Sequence, residues 1–269
     1  MKPAAGLPRL DANTPSPARI YDYLLGGSHN FAADRDVARD MIDAFPRLPQ
    51  VFAAARAFGR RAAWFLAARQ GVSQFLDLGS GIPAARNIHE VVQAADPAAR
   101  VAYIDIDPIA VAHARSVLRG ARQAVCVQAD LREPAAVCAD PGVRSVIDFA
   151  RPVAILLSSV LHFIPGDDEA ARIVGGYLSA AAPGSYLVLS HYATEGTGPG
   201  EAKAREIYSR AAQPVTGRSL AQVTSFFAAT ALVEPGIVLT PLWRPDPGEL
   251  GTAGEIPLHF GYAGVGRKV

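Results

Sequence analysis

Three predicted helices precede the first strand-like run of apolar residues. Ser16 is a good helix N-cap, and Pro17 suits the first helical position. The first helix carries Tyr21 on an apolar face and ends at Gly26 and Gly27. The three helices are predicted over residues 16–25, 34–44 and 50–69. They form a helical cap ahead of the sheet rather than part of it.

From residue 73 onward, apolar strands and amphipathic helices alternate. The strands are predicted over 74–78, 101–105, 123–128, 153–158, 185–191, 236–242 and 258–266. The helices are predicted over 84–95, 108–119, 167–181, 200–212 and 219–228, with short helical pieces near 134–149. This alternation predicts an α/β fold with a doubly wound, mostly parallel, seven-stranded sheet.

The pattern divides the chain into three parts. Residues 1–15 are expected to be a disordered tail, and residues 16–72 a helical cap that acts as a lid. Residues 73–269 are expected to form a Rossmann-like ligand-binding domain, with inserted helices at about 199–230.

Composition excludes several classes of protein. Half of the 269 residues are hydrophobic, which is enough for a sizeable core. The formal net charge of +1 gives no strong basic field, so we expect no nucleic-acid partner. No apolar run reaches membrane-spanning length, and the N-terminus lacks the apolar core of a signal peptide. We therefore expect a cytoplasmic protein; its oligomeric state stays open.

The first strand runs into a glycine turn. Gly79 to Ala84 formally satisfies the dinucleotide fingerprint G-x-G-x-x-G/A. Two neighbours argue against a nicotinamide cofactor. Asp77 precedes the turn, where a carboxylate would repel a pyrophosphate, and Pro83 removes one N–H donor from the turn. A helix starting near Ala84 would still aim free N–H groups at a ligand.

Three carboxylates end three successive strands. Asp77, Asp105 and Asp130 are expected to meet at one edge of the sheet, together with Ser158. Any one of them is explained equally well by an ordinary turn, because Asp bonds its own backbone. As a series, they suit S-adenosylmethionine (SAM): an ammonium for Asp77, a ribose diol for Asp105 and the adenine amine for Asp130.

These motifs resemble those of class I SAM-dependent methyltransferases. The resemblance lies in DLGSG at 77–81, YIDIDP at 103–108 and Ala129–Asp130. ARIYDYLLGGSHNF at 18–31 and GYAGVGRK at 261–268 look like a narrower actinobacterial methyltransferase family, formerly a domain of unknown function. The resemblance implies an antiparallel final strand pair, SAM as cofactor, S-adenosylhomocysteine as product and no metal. The candidate cofactor-binding residues are Tyr21, Asn30, Asp77, Gly79, Ser80, Gly81, Ile82, Pro83, Asp105, Ile106, Asp130, Leu131 and Ser158.

His162 is the candidate catalytic residue. It follows the fourth strand, where a general base would border the acceptor, although a histidine bonded within its own loop is the plainer alternative. His191 and Tyr192 are weaker candidates. Asp107 is predicted to cap the helix that begins at Pro108.

Three functions stay open at this point. The leading one is methyl transfer from SAM to a small-molecule acceptor at O, N or C, by in-line displacement. A SAM-binding sensor or scaffold without turnover is the second. An NAD-dependent oxidoreductase, suggested only by the glycine fingerprint, is the third.

Overall fold

A computed structural model describes residues 11–83, 86–196, 198–246 and 261–269. Its strands are β1 Gln74–Leu78, β2 Arg100–Asp105, β3 Ala124–Gln128, β4 Ala154–Ser158, β5 Tyr186–Tyr192, β6 Thr230–Leu232, β7 Val238–Leu239 and β8 Gly261–Lys268. Its helices are α1 Pro17–Leu24, α2 Ala32–Ala44, α3 Leu48–Gln70, α4 Ile88–Ala95, α5 Pro108–Val117, α6 Pro134–Ala139, α7 Pro141–Arg144, α8 Asp167–Ala180, α9 Pro199–Ala211 and α10 Leu220–Ser225.

The sheet is doubly wound and mostly parallel, as the sequence predicts. Its order is β3-β2-β1-β4-β5-β8-β6, with β7 also paired to β8. The strands from β3 to β5 are parallel, and β8 is antiparallel to β5. Every residue of β1 is buried, as expected for a central strand covered on both faces. The carboxyl ends of five strands therefore meet at one edge.

The sheet has eight strands among the described residues, not the seven predicted. The sixth position is divided between β6 and β7, which pair with the same edge of β8. The Val233 N–H still donates to the Val265 carbonyl, 2.9 Å away. Pro235 then lacks a donor and Gly236 adopts a φ of 85°, so the edge breaks before Val238. The strand predicted over 236–242 therefore contains β7 but is longer than it, and β6 was not predicted. Residues 258–260 of the last predicted strand lie outside the described residues.

The helix after β1 begins at Ile88, not near Ala84 as predicted. Asn87 is its N-cap, and its backbone N–H donates to Glu90 Oε2 at 2.6 Å. This capping box fixes the start of α4. The predicted start at Ala84 falls outside the described residues.

Side chains alternate between two cores along the strands. Leu76 and Leu78 lie in the core that includes α6, α7 and α8, whereas Phe75 faces the core that includes α3. A third cluster joins α1 and α2 to α9. The apolar face of α3 is thus part of the sheet's own packing, although the sequence groups it with the cap. The domain boundaries at 16–72 and 73–269 stay predictions.

The segment just before α1 is held by a buried arginine. Arg19 donates through Nε to Asp34 at 2.8 Å and through Nη2 to the carbonyl oxygens of Asp11 and Thr14. Residues 11–15 belong to the predicted tail, and the remainder of that tail lies outside the described residues. The buried ion pair is favoured because the arginine satisfies several acceptors at once.

Trp243 packs against α3 and holds this helix against the sheet. Its fully buried ring lies 5.5 Å from the ring of Phe58 and 5.8 Å from that of Phe65, in edge-to-face contacts. Trp243→Ala is expected to lower the free energy of unfolding by about 3–5 kcal/mol, because the cavity left behind cannot collapse fully. Urea unfolding followed by circular dichroism measures this change. Trp64 on the same helix is 44% exposed and is the matched control. Similar losses for Trp64→Ala and Trp243→Ala would contradict the assigned role.

Candidate cofactor and acceptor site

A cavity of about 600 Å³ runs along the carboxyl ends of the parallel strands. It is closed on other sides by residues of α1, α3 and α9. Its size lies within the usual range of small-molecule sites. The structure brings the following predicted residues into its wall: Tyr21, Asp77, Gly79, Ser80, Gly81, Asp105, Ile106, Asp130, Leu131, Ser158 and His162.

Asp105 organises the glycine turn. Its Oδ2 accepts a hydrogen bond of 2.7 Å from the Gly81 N–H, and its Oδ1 accepts one of 2.8 Å from the Asp107 N–H. Burial raises the pKa of Asp105 to about 6, although these N–H groups oppose the rise. The carboxylate retains lone pairs for a ligand that offers hydroxyl donors.

Asp77 is a second buried carboxylate on the same wall. Burial raises its pKa to about 7; Arg56 acts against that rise and Asp105 adds to it. Because side chains alternate along β1, Asp77 lies on the same face as Phe75, towards α3. Two buried acids next to one cavity favour a cationic ligand, since a positive charge would offset the cost of ionising both.

The turn between these acids is tight and leaves room for a ligand. Gly79 has a φ of 68°, and a Cβ there would meet Val160 Cγ2 at 2.4 Å. Gly81 has a φ of 66° and open space beside it. Ser80 Oγ is buried and has no hydrogen-bond partner among the described residues. This turn can therefore approach a bound molecule closely and offer it a hydroxyl.

Asp130 lies on the cavity wall, but its carboxylate already accepts hydrogen bonds from Arg132. Arg132 donates to both of its oxygens, from Nε at 3.0 and 2.8 Å and from Nη2 at 2.5 Å. Burial raises the pKa of Asp130, but the bonds from Arg132 outweigh this and the net shift is downward. An adenine amine would have to share or displace this arginine, so contact between Asp130 and the adenine stays a prediction.

Asp107 caps α5, as predicted. Its Oδ1 accepts from the N–H groups of Ile109 at 2.7 Å and Ala110 at 3.2 Å. Its other oxygen accepts from the hydroxyl of Ser16 and lies 3.9 Å from Arg19 Nη1. The start of α1 is thus tied to the end of β2, directly beside Asp105.

Three predicted cofactor residues lie off the cavity wall. Asn30 shapes its own turn, where its amide donates to Asp22 Oδ2 at 2.8 Å and to the Gly27 carbonyl at 3.0 Å. Ile82 is buried, and Pro83 borders a small adjoining pocket instead. The sequence places these residues near the motif, but their side chains do not face the large cavity.

His162 lies where the cavity continues past the carboxylates. Its Nδ1 is buried and has no partner among the described residues. Burial, aided by His191 and Arg218, lowers the pKa of His162 to about 3. The ring is therefore neutral at physiological pH and has a lone pair free to accept a hydrogen bond.

His191 cannot serve as a base, although the sequence suggests it as a weaker candidate. Its Nδ1 lies 2.8 Å from the Tyr192 carbonyl, which can only accept, so this nitrogen carries the proton. Its Nε2 accepts from Arg218 Nη1 at 2.7 Å. Both ring nitrogens are occupied, and burial lowers the pKa of His191 to about 4. Tyr192 lines the cavity and lies beneath the guanidinium of Arg205.

Arg218 holds the loop that carries His162. This fully buried side chain donates to the carbonyl oxygens of Leu161 at 3.1 Å and Ile164 at 2.8 Å, and to Asp167 Oδ1 at 2.8 Å. The amino-acid sequence does not reveal this role, because Arg218 is more than fifty positions from these partners. Its only sequence signal is a lone arginine in a polar stretch before α10.

Two further features of the wall are absent from the sequence predictions. Arg56 and Gly59 of α3 face the cavity opposite the strand ends. Ser159 has a φ of 56°, and its N–H donates to Ser190 Oγ at 3.0 Å. A residue other than glycine in this conformation is costly and is concentrated at functional sites.

Within the described ranges, no cluster of three or more His, Cys, Asp or Glu side chains is placed to hold a metal ion. The helices of the described residues include none that is long and apolar enough to cross a membrane.

Comparison with known proteins identifies the family. The chain matches a family described as S-adenosyl methyltransferase over residues 3–269. A candidate methyltransferase from Thermobifida fusca YX is 40% identical, with 96% of each chain covered and a TM-score of 0.87. A DUF574 family protein from Streptomyces avermitilis MA-4680 is 34% identical over 97% of this chain and 100% of that chain, with a TM-score of 0.92. The comparison with curated proteins gave no match. The resemblance read from the sequence is confirmed, and the chain belongs to the S-adenosyl methyltransferase family, whose methyl donor is SAM.

Proposed function

We propose that the protein transfers the methyl group of SAM to a small-molecule acceptor at O, N or C. The observation that supports this is the continuity of the cavity. One space reaches from the buried acids Asp77 and Asp105 to His162, Tyr192 and the side chains of α9. A site for the cofactor alone would not need the second half of this cavity.

The cofactor fits the donor set of the first half. Asp77 would hold the ammonium group and Asp105 the ribose hydroxyls, since ionised carboxylates are acceptors only. Gly79 and Gly81 would let the backbone come close, and the unpartnered Ser80 hydroxyl would supply one more contact. When bound, SAM supplies a methyl group on a sulfonium that is already activated for displacement.

The acceptor half of the cavity would position the second reactant and exclude water. His162 faces this half as a neutral imidazole, and we assign it the role of accepting the acceptor's proton or hydrogen bond. Its low pKa makes it a weak base, so this role is compatible with acceptors that need little help in losing a proton, such as phenols and amines, rather than with alcohols. The segment 16–72 would act as a lid, because α1 and α3 both contribute to the wall.

A SAM-binding sensor without turnover is the second candidate. It would keep both carboxylates and would bind no acceptor beside His162. The NAD-dependent oxidoreductase has less support, because Asp77 lies beside the turn that a pyrophosphate would occupy, and its burial opposes a second negative charge.

Asp105→Asn is expected to raise the Kd for S-adenosylhomocysteine about 10- to 100-fold. The substitution removes the charged acceptor for the ribose, and hydrogen bonds to charged groups contribute about 1.5–3 kcal/mol. Isothermal titration calorimetry measures the change. Asp140→Asn is the matched control: Asp140 also accepts from two backbone N–H groups, but it caps α7 away from the cavity. Unchanged affinity in Asp105→Asn with a normal melting temperature would overturn the assignment.

The affinity for SAM is expected to rise with pH between about 5 and 8. The pKa values of about 7 for Asp77 and about 6 for Asp105 mean that both acids gain or lose their protons between about pH 5 and 8 in the ligand-free protein. A cationic ligand requires their ionised forms, so affinity increases by up to about tenfold per pH unit for each proton released. Titrations at several pH values test this slope, and Asp77→Asn is expected to make it shallower. A flat profile would contradict the charge assignment.

The same shifts predict the pH dependence of the ligand-free fold. Both folded-state pKa values lie above the ordinary aspartate value of 3.8, so these groups favour the folded state at low pH. Their contribution is lost as the pH rises through about 6 and 7. The ligand should therefore stabilise the protein most strongly above neutral pH.

Methyl transfer itself is tested with SAM labelled on the methyl group and a panel of phenols, amines and carbon acids. We expect transfer to at least one class. With that acceptor, His162→Ala and His162→Gln should both lower kcat about 100-fold or more if His162 takes the proton. His113→Gln, on α5 outside the cavity, is the control. Binding of SAM without transfer to any acceptor class would favour the sensor.

A further inference from the structure

Arg56 presents a largely unused guanidinium to the cofactor half of the cavity. It lines the cavity beside Asp77, Ser80 and Gly81. Its one hydrogen bond to a described residue runs from Nη2 to the Ile82 carbonyl at 3.4 Å, near the limit for such a bond. Among the described residues it has no carboxylate partner within salt-bridge distance. A guanidinium has five N–H donors, so most of them are free for a ligand.

The packing of α3 explains this position. A Cβ at Gly59 would lie 3.3 Å from Ser158 Oγ, so the helix passes close to the end of β4 at this point. Arg56 lies about one helical turn earlier on the same side. Asp77 points towards α3 from β1. The guanidinium and the Asp77 carboxylate are near enough that Arg56 opposes the rise in the pKa of Asp77.

The other arginines of the wall are less suited to the same role. Arg60 of α3 also lines the cavity, but it already has an interaction partner of its own. Arg19 is committed to Asp34 and to two carbonyl oxygens, and Arg132 to Asp130. Arg205 lies over the Tyr192 ring in the acceptor half. Arg86 is exposed and is not among the charges that shift Asp77. It is the nearest competing candidate.

We propose that Arg56 binds the carboxylate of the methionine end of SAM, while Asp77 binds the adjacent ammonium. This end of the cofactor is a zwitterion, and it needs one cation and one anion placed side by side. Arg56 and Asp77 supply that pair, and the fork of the guanidinium matches a carboxylate in two parallel bonds. The inference rests on the proposed function, because it takes the ammonium position from Asp77.

Decarboxylated SAM separates the two charges, since it keeps the sulfonium, ribose, adenine and amine but lacks the carboxylate. Arg56→Ala is expected to weaken binding of SAM about 10- to 100-fold and that of decarboxylated SAM about twofold or less. Arg56→Lys should fall between Arg56→Ala and the unchanged protein, because it keeps the charge but loses the fork. Removing Arg56 lets the pKa of Asp77 rise further, so calorimetry at pH 8 is repeated at higher pH to separate the loss of the fork from a change in Asp77 protonation.

Three controls separate a failure of the Arg56 assignment from a failure of the proposed cofactor site or of folding. Asp105→Asn should weaken both ligands alike, and if it weakens neither, the proposed cofactor site fails rather than the role of Arg56. Arg86→Ala should weaken neither; a selective loss for SAM in that variant would transfer the role to Arg86 and overturn the proposal. Equal weakening of both ligands by Arg56→Ala would also overturn it, because Arg56 would then act only through Asp77. Melting temperatures confirm that each variant is folded, and Arg56→Lys replaces Arg56→Ala if the latter is not.

Discussion

Two buried carboxylates next to one cavity set the main physical constraint on this structure. Asp77 and Asp105 lie on adjacent parallel strands, and the register places Asp77 opposite Tyr103, two residues before Asp105. Burial disfavours their ionised forms, which is the main reason that both pKa values are raised; the charge of Asp105 adds to the rise at Asp77, and that of Asp107 to the rise at Asp105. Neither group stabilises the ligand-free fold at neutral pH. A cationic ligand in the same cavity would offset the cost of burying these two carboxylates.

The surrounding elements reduce this electrostatic cost without removing it. The N–H groups of Gly81 and Asp107 donate to Asp105, and Arg56 lies opposite Asp77. Complete neutralisation, such as a salt bridge between Arg56 and Asp77, would leave nothing for a ligand to satisfy. Partial compensation of the two carboxylates lowers the cost of burying them and still leaves them able to bind a cationic ligand. The degree of compensation depends on the distance between α3 and the sheet. Gly59 sets that distance where α3 passes Ser158.

The sequence predicts those parts of the site that follow from strand ends. Asp77, Asp105, Asp130 and Ser158 each close an apolar run, and a parallel sheet brings such ends together without further information. The role of Asp107 as a cap follows from the proline after it. Asn30 shows where sequence-based prediction of the site fails. It lies in a segment that resembles the family, but that resemblance does not tell in which direction its side chain points.

Tertiary contacts account for what the sequence did not predict. Arg56 faces the cavity because of how α3 crosses the sheet, and Arg218 reaches carbonyl groups that lie more than fifty positions away. The start of α4 at Ile88 depends on the Asn87–Glu90 capping box, which lies a few residues beyond the predicted start near Ala84. β6 has no counterpart among the predicted strands and β7 is shorter than predicted, because each is too short to show a strand period.

Asp107 couples the cap to the cofactor half of the cavity. One oxygen of Asp107 caps α5, and the other accepts from Ser16 at the start of α1 and lies near Arg19. Its backbone N–H donates to Asp105, the proposed ribose acceptor. A movement of α1 would therefore change the surroundings of Asp105 through only one intervening residue. On this reasoning the positions of the cap and the cofactor are coupled. A ligand or contact that orders the start of α1 also completes the Asp105 site, and an intact Asp105 site in turn favours the docked position of α1.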